Sequence, residues 1–319
     1  MTHIALDEVS STNTWLAQHA AELSHLTMVT AARQTAGRGQ RGNSWESEPG
    51  ANLTFSLLIR PEGVPARSQF SISEATALAI TDLLAAYGVT ATIKWPNDIY
   101  VGDRKICGIL IEHAIMGTSI MHSIIGVGLN INQTRFVSDA PNPVSLLQLK
   151  LSGFSEQSES SDFSESSDFS ELSELSELSE QSELSEFFDN SDTSDASDYS
   201  DTSDHSDNSD SSDHSDNSDP PRRYDLDKLR TQLASLLEKR LASVTNPTDR
   251  EVTHLAFLQR LYRGDGQFYL YRDRATGLTF NAVIADIEPM GLLHLRLPDG
   301  TERTYAFKEV EYLLPSFSH

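Results

Sequence analysis

The chain has 319 residues and a formal net charge of −23, but the acidity is not spread through it. Residues 152–219 hold 22 Asp and Glu with no Lys or Arg, which leaves −1 for everything else. A near-neutral remainder with no basic stripe gives no support for nucleic-acid binding, and the single cysteine, Cys107, excludes an internal disulfide framework and suits a reducing compartment. The opening Met1-Thr2-His3-Ile4 lacks the basic and apolar regions of a signal peptide. No apolar run approaches bilayer-spanning length. The expectation is a soluble, cytoplasmic chain with no membrane partner.

Ile4–Val9 reads as a short strand, and Ser10-Ser11-Thr12-Asn13 offers capping residues for the helix carrying Trp15, Leu16, Ala20 and Leu23. Met28–Ala32 is a second apolar strand. It delivers the run Arg33-Gln34-Thr35-Ala36-Gly37-Arg38-Gly39-Gln40-Arg41-Gly42-Asn43-Ser44-Trp45. That stretch is too polar for a core and too rich in glycine for a regular element. Its glycines let backbone N–H groups approach an anion, and its arginines add forked donors for carboxylate or phosphate.

Ala51–Ile59 alternates as a strand, and residues 68–87 place Phe70, Ile72, Ala75, Ala79, Leu83 and Leu84 on a helical stripe stopped by Gly88. Thr92–Val101 reads as a strand broken by a Trp95-Pro96-Asn97-Asp98 corner, where the proline cannot donate to a ladder. Gly102-Asp103-Arg104 is a hairpin turn leading to strands Lys105–Glu112 and Ser119–Asn130, the last ending in Gly126-Val127-Gly128-Leu129-Asn130. Short turns between these strands predict a mixed or antiparallel sheet with helices on one face.

Asn142-Pro143-Val144-Ser145 opens a short helix that runs into the acidic segment. From Phe154 to Asp219 the sequence is 22 triplets of the form x-Ser-Asp/Glu, with Phe187-Phe188-Asp189 as the break in serine. A period of three matches neither helix nor strand, and like charge with few apolar residues predicts disorder. It reads as a tandem expansion tolerated in a surface loop, beside which a partner tail, a divalent-ion buffer or a phosphorylation target stays open. Leucines from Leu226 to Leu241 then form a core-facing helix. Phe268–Tyr271, Leu278–Asp286, Leu292–Leu297 and Thr304–Phe307 are short strands that should close as a small barrel. The expected organisation is a domain over 1–263 interrupted by an insertion at 152–221, followed by a barrel over 264–317.

Familiar motifs are missing. Gly126-x-Gly128 lacks the third glycine of a dinucleotide fingerprint, and no P-loop, HExxH or Gly-x-Ser-x-Gly pattern occurs. Cys107, between Ile106 and Gly108 on a strand, reads as a small core residue rather than a nucleophile.

Four stretches taken together resemble the biotin protein ligases: Ser11-Thr12-Asn13, the loop 33–45 with its Gly-Arg-Gly-x-Arg-Gly-x-x-Trp, Lys94-Trp95-Pro96-Asn97-Asp98 with Lys105-x-x-Gly108-Ile109-Leu110, and Gly126-x-Gly128-x-Asn130. The resemblance covers residues 5–135 closely and the C-terminal region more loosely. It implies an α+β catalytic domain of the class II aminoacyl-tRNA synthetase/biotin ligase type with an SH3-like C-terminal barrel. It also implies ATP and Mg²⁺ as cofactors, biotin as substrate, and a biotin carboxyl carrier protein as acceptor.

Position by position, the resemblance assigns Ser11, Thr12, Asn13 and Gln34 to biotin's ring, with Gly108, Gly126 and Gly128 also on the biotin side. Arg38, Gly39 and Gln40 match the loop over the adenylate, and Lys105 matches the lysine at the carboxylate and α-phosphate. Arg38 and Lys105 are thereby the catalytic pair. Arg38, Arg41, Trp45, Lys94, Asn97 and Asn130 fall on the nucleotide side, and Asp98 at a Mg²⁺. The family often has arginine where this chain has Gln40, one positive charge fewer over the adenylate. Because the resemblance begins near residue 5, the expectation is a ligase of the monofunctional type, without an N-terminal helix-turn-helix and without DNA binding. A homodimer stays open. So do two other readings, a lipoate or octanoate ligase of the same fold and a non-catalytic biotin-binding protein.

Overall fold

Neighbouring residues on the central strands point to opposite faces, and both faces are apolar. Met28, Leu57 and Ile125 belong to one buried cluster, while the adjacent Val29, Leu58 and Ile124 belong to another. The computed structural model describes residues 1–137, 142–153 and 223–313, with Arg41 described in its backbone alone. The expectation of disorder for the acidic repeat lies outside the described residues. The described segments on either side of the repeat fall in one compact unit, Met1–Glu156 with Arg223–His319.

Seven strands form the main sheet: β1 (Thr2–Val9), β2 (Thr27–Gln34), β3 (Leu53–Ile59), β4 (Thr92–Lys94), β5 (Asp98–Val101), β6 (Arg104–Met116) and β7 (Ser119–Leu129). Their order is β1-β2-β3-β7-β6-β5-β4. β1 and β2 run parallel and every other neighbouring pair is antiparallel, so the sheet is mixed. The stretch read as one broken strand is a hairpin, with Thr92 opposite Tyr100 and Lys94 opposite Asp98.

The face bearing Met28, Leu57 and Ile125 is covered by α2 (Phe70–Ala86), an almost wholly buried helix. Gly88 ends it in the left-handed region, and its N–H bonds the carbonyl of Ala85. The short α1 (Thr12–His19) packs on the opposite face, its Leu16 buried with the following Ala20 against Val29, Leu58 and Ile124. A second short helix, α3 (Leu146–Leu151), starts at a Ser145–Gln148 capping box.

After the insertion, α4 (Leu226–Ala242) lays Leu229, Leu233, Leu237 and Leu241 into the α2 core, as their spacing predicts. The chain then makes a helix that the leucine pattern did not announce, α5 (Pro247–Gln259). Its signal is the start, where Asn246 accepts from the Thr248 N–H and Pro247 occupies the first turn.

The C-terminal strands are β8 (Tyr269–Asp273), β9 (Thr279–Ile287), β10 (Leu293–Arg296), β11 (Glu302–Tyr305) and β12 (Val310–Tyr312). They form a second antiparallel sheet in the order β11-β10-β9-β8-β12. The turn between β9 and β10 is bonded to the turn between β4 and β5 and to the start of α2: Trp95 Nε1 donates to the Gly291 carbonyl at 3.0 Å, and the Phe70 N–H donates to the Pro289 carbonyl at 3.1 Å. No described helix is long and apolar enough to cross a membrane.

Candidate active site

The sheet face that receives α1 also carries three glycines in two adjacent rows. Gly108 pairs with Gly128, Leu110 pairs with Gly126, and across β3 Gly126 faces Ser56. Missing side chains there lower the floor into a cavity of about 900 Å³. A Cβ on Gly126 would collide with the Asn13 amide, and one on Gly128 with the Trp45 indole. The glycines therefore make room for those two side chains.

At one end the cavity is built from neutral hydrogen-bonding groups. Ser11, Thr12 and Asn13 are each 3% exposed. Ser11 occupies the N-cap position of α1 but makes no side-chain cap bond, so capping is not what its hydroxyl does here. The Thr12 N–H donates to Gln34 Oε1 at 2.8 Å, Thr12 Oγ1 lies 2.7 Å from Ser56 Oγ, and Ser56 donates to Asn13 Oδ1. Ser56 is fully buried and was not singled out in the sequence, where it sits unmarked inside an apolar strand.

The glycine-arginine loop folds on itself as a narrow ribbon. The Gly39 N–H donates to Asn43 O at 2.7 Å, the Trp45 N–H donates to Gly37 O at 3.0 Å, and Gln40–Gly42 form a single 3₁₀ turn. A Cβ on Gly37 would lie 2.6 Å from the Trp45 carbonyl, which the ribbon does not allow. Arg38 leaves the loop to meet Glu112 on β6, NH2 to Oε1 at 2.7 Å and NH1 to Oε2 at 3.1 Å. Arg33 points elsewhere and pairs with Glu8 on the surface.

The other end is cationic. Lys105 Nζ lies 2.7 Å from Asp98 Oδ1, and the same ammonium is 5.7 Å from the centre of the Trp45 ring. Lys94 Nζ donates to the Tyr100 hydroxyl at 3.0 Å and lies over the rings of Tyr100 and Tyr312. Burial lowers the Lys94 pKa, with the nearby Asp98 charge working the other way. Asn97 Nδ2 donates to the Ile109 carbonyl at 2.7 Å.

Three residues lining this cavity leave a buried polar atom without a partner among the described residues: Trp45 Nε1, Asn130 Oδ1 and the Tyr312 hydroxyl. The first can only donate, the second can only accept and the hydroxyl can do either, which suits a ligand carrying both kinds of group. The wall is completed by Arg274, Lys308 and Tyr312 of the second sheet, a contribution the sequence reading did not anticipate. Each predicted site residue with a described side chain lines this one cavity; the Arg41 side chain lies outside the described set. Cys107 is fully buried, and burial pushes its thiol pKa up, as suits a core residue.

No group of three or more His, Cys, Asp or Glu among the described residues is placed to hold a metal. Asp98 offers one carboxylate. That suits Mg²⁺ arriving with phosphates, since the ion commonly takes one or two carboxylates together with phosphate oxygens.

Residues 5–130 match the sequence model of the biotin/lipoate A/B protein ligase family. The chain is 35% identical over 127 residues to the bifunctional ligase/repressor BirA of Bacillus subtilis, covering 40% of this chain and 38% of that one. It is 37% identical over 129 residues to the biotin–[acetyl-CoA-carboxylase] ligase of Paracoccus denitrificans, covering 40% of this chain and 53% of that one. The matched region thus spans from about two fifths to about half of these relatives. Among solved structures, the biotin protein ligase of Aquifex aeolicus in complex with biotin and ATP superposes with a TM-score of 0.61 at 17% identity. That superposition covers 98% of this chain and 99% of that one, a likeness of fold.

Proposed function

From the match of residues 5–130 to the biotin/lipoate A/B protein ligase family model, we propose that the chain activates biotin with ATP and transfers it to a lysine of a biotin carboxyl carrier protein. The observation that carries this reading is the polarity of one cavity, neutral donors and acceptors at one end and Lys105 with Asp98 at the other. A ureido ring needs the first and a carboxylate meeting a phosphate needs the second.

In the first step a carboxylate oxygen of biotin attacks the α-phosphorus of ATP, and pyrophosphate leaves. Negative charge gathers where the two anions meet, so the protein's task is positioning and electrostatic stabilisation. Ser11, Thr12, Asn13 and Gln34 hold the ring. Gly108, Gly126 and Gly128 serve the biotin side by leaving room for the Asn13 amide and the Trp45 indole. Lys105 and Arg38 offset the charge, while Gly39 and Gln40 cover the product. Arg41, Trp45, Lys94, Asn97 and Asn130 take the nucleotide side. Asp98 would hold Mg²⁺ together with the phosphates, and the ion would supply further charge neutralisation there. In the second step the unprotonated amine of a carrier lysine attacks the mixed anhydride carbonyl, AMP leaves, and the amine proton is lost to solvent.

The proposal also takes residues 1–263, interrupted at 152–221, as the catalytic domain and 264–317 as an SH3-like barrel. It places the protein in the cytoplasm without a nucleic-acid partner, and retardation of a biotin-operon operator would overturn the last point. The deciding assay incubates the protein with ATP, Mg²⁺, an apo carrier domain and either biotin or lipoate. Biotin-dependent pyrophosphate release with carrier labelling is expected. Preference for lipoate would make the chain a lipoate ligase, and no turnover with either would make it a binding protein.

A further inference from the structure

Glu112 sits on the cavity face of β6, one row beyond the Leu110–Gly126 pair and opposite Ile124. It does not line the cavity itself, yet both of its oxygens are taken by residues that do. Oε1 accepts from Arg38 NH2 at 2.7 Å, and Oε2 accepts from Arg38 NH1 at 3.1 Å and from Asn13 Nδ2 at 3.0 Å. Arg38 NH1 also reaches Thr14 Oγ1 at 3.4 Å. One carboxylate therefore joins the loop, the start of α1 and the sheet.

Two consequences follow from its chemistry. A carboxylate has only acceptors, so it fixes which end of the Asn13 amide turns toward it, leaving Oδ1 to Ser56. Its fork-to-fork pairing with Arg38 ties the ribbon down across that amide. A lone exposed ion pair contributes little, and these side chains are 43% and 37% exposed. Bidentate geometry and the shared Asn13 bond are what lift this pair above that class.

We propose that Glu112 is a positioning residue that straps the glycine-arginine loop, through Arg38, over the ring-binding end of the cavity. The proposal rests on the ligase reading for its ligand, but the strap itself is a property of the free chain. Its effect is on ligand retention: a bound ring escapes after the strap lets go.

The experiment compares wild type, Glu112→Gln, Glu112→Asp, Arg38→Ala and the Arg38→Ala/Glu112→Gln double variant. Without any ligand, limited trypsinolysis after Arg38 is followed by mass in the three chains that keep Arg38, and the off-rate is read in all five. Glu112→Gln is expected to be cut about three- to tenfold faster than wild type, the range one ordinary hydrogen bond spans. Glu112→Asp, which keeps the charge, should fall between. The biotin off-rate should rise by about the same factor in Glu112→Gln, and the double variant should exceed Arg38→Ala by less than about threefold, because the two residues act as a unit. An unchanged cleavage rate in Glu112→Gln overturns the strap. So do additive off-rate effects, or equal melting losses in all variants with no change in either rate. If wild type does not bind biotin at all, the ligase reading fails while the cleavage comparison still decides the strap.

Discussion

Lys105 meets Asp98 at 2.7 Å because β6 carries one residue more than β5 can pair. Asp98 lies opposite Gly108 and Ile99 opposite Cys107, but Tyr100 lies opposite Lys105, so Ile106 is the extra residue of a bulge. Strict alternation would send Lys105 to the core side with Cys107 and Ile109. The bulge turns it to the cavity face instead, beside Asp98 and Tyr100. If Lys105 supplies charge to the developing adenylate, Lys105→Met should reduce biotin-dependent pyrophosphate exchange by about 10²–10³, the usual cost of removing one such donor. Melting should change far less than activity. Exchange within a few-fold of wild type would remove Lys105 from the chemistry.

That bulge also marks the limit of what periodicity reveals. The spacing of Phe70, Ile72, Ala75 and Ala79 sufficed for α2, and the glycine content of the loop sufficed to mark it as irregular. The direction of Lys105 needed the register of two strands, which no count along one strand contains. Ser56 and Glu112 were hidden for a related reason. Each is a polar residue in an otherwise apolar strand, and its meaning lies in Asn13, which it meets across the fold. Arg274, Lys308 and Tyr312 reach the cavity by the packing of the second sheet, which local sequence does not encode.

Gly128→Ala tests the floor. The new methyl would fall inside the Trp45 ring and the indole must leave, while β7 itself is under no backbone strain at this position. The protein should stay folded, its tryptophan emission should shift to the red as the ring becomes exposed, and biotin should bind at least about tenfold more weakly. Unchanged emission would mean that Trp45 does not rest on Gly128 in solution.

His254 on α5 gives a pH signature away from the cavity. Its Nδ1 lies 2.7 Å from Glu74 Oε1 on α2, and its Nε2 lies 3.1 Å from Asp286 Oδ1 on β9. The hydrogen bond to Glu74 raises its pKa above the ordinary 6.5, with burial opposing and the Asp286 contact adding. A raised pKa means that the folded state binds the proton more tightly. The stabilisation is then complete below the unfolded value near 6.5 and is lost as pH rises through the folded value. The melting difference between wild type and His254→Gln should be largest near pH 6 and shrink steadily toward alkaline pH. A difference that grows with pH would contradict the ion pairs.

The described segments that flank the acidic repeat meet each other directly. Asn132 clasps the returning chain, its Nδ2 donating to Tyr224 O at 2.9 Å and its Oδ1 accepting from the Tyr224 N–H at 2.8 Å. From the outgoing side, Lys150 Nζ lies 5.4 Å from the centre of the Tyr224 ring. Joining Gly153 to Pro220 therefore asks the chain to close a gap whose flanks already meet at Lys150 and Tyr224. Loop-closure entropy changes by roughly 0.6 kcal/mol per doubling of length, so removing 154–219 should leave stability equal or raised by no more than about 2 kcal/mol. Biotin-dependent pyrophosphate release should be unchanged, because the described residues that line the cavity already make up both of its ends without the deleted stretch. Loss of release with melting preserved would instead give the repeat a part in the reaction, and carrier labelling lost alone would give it a part in acceptor recognition.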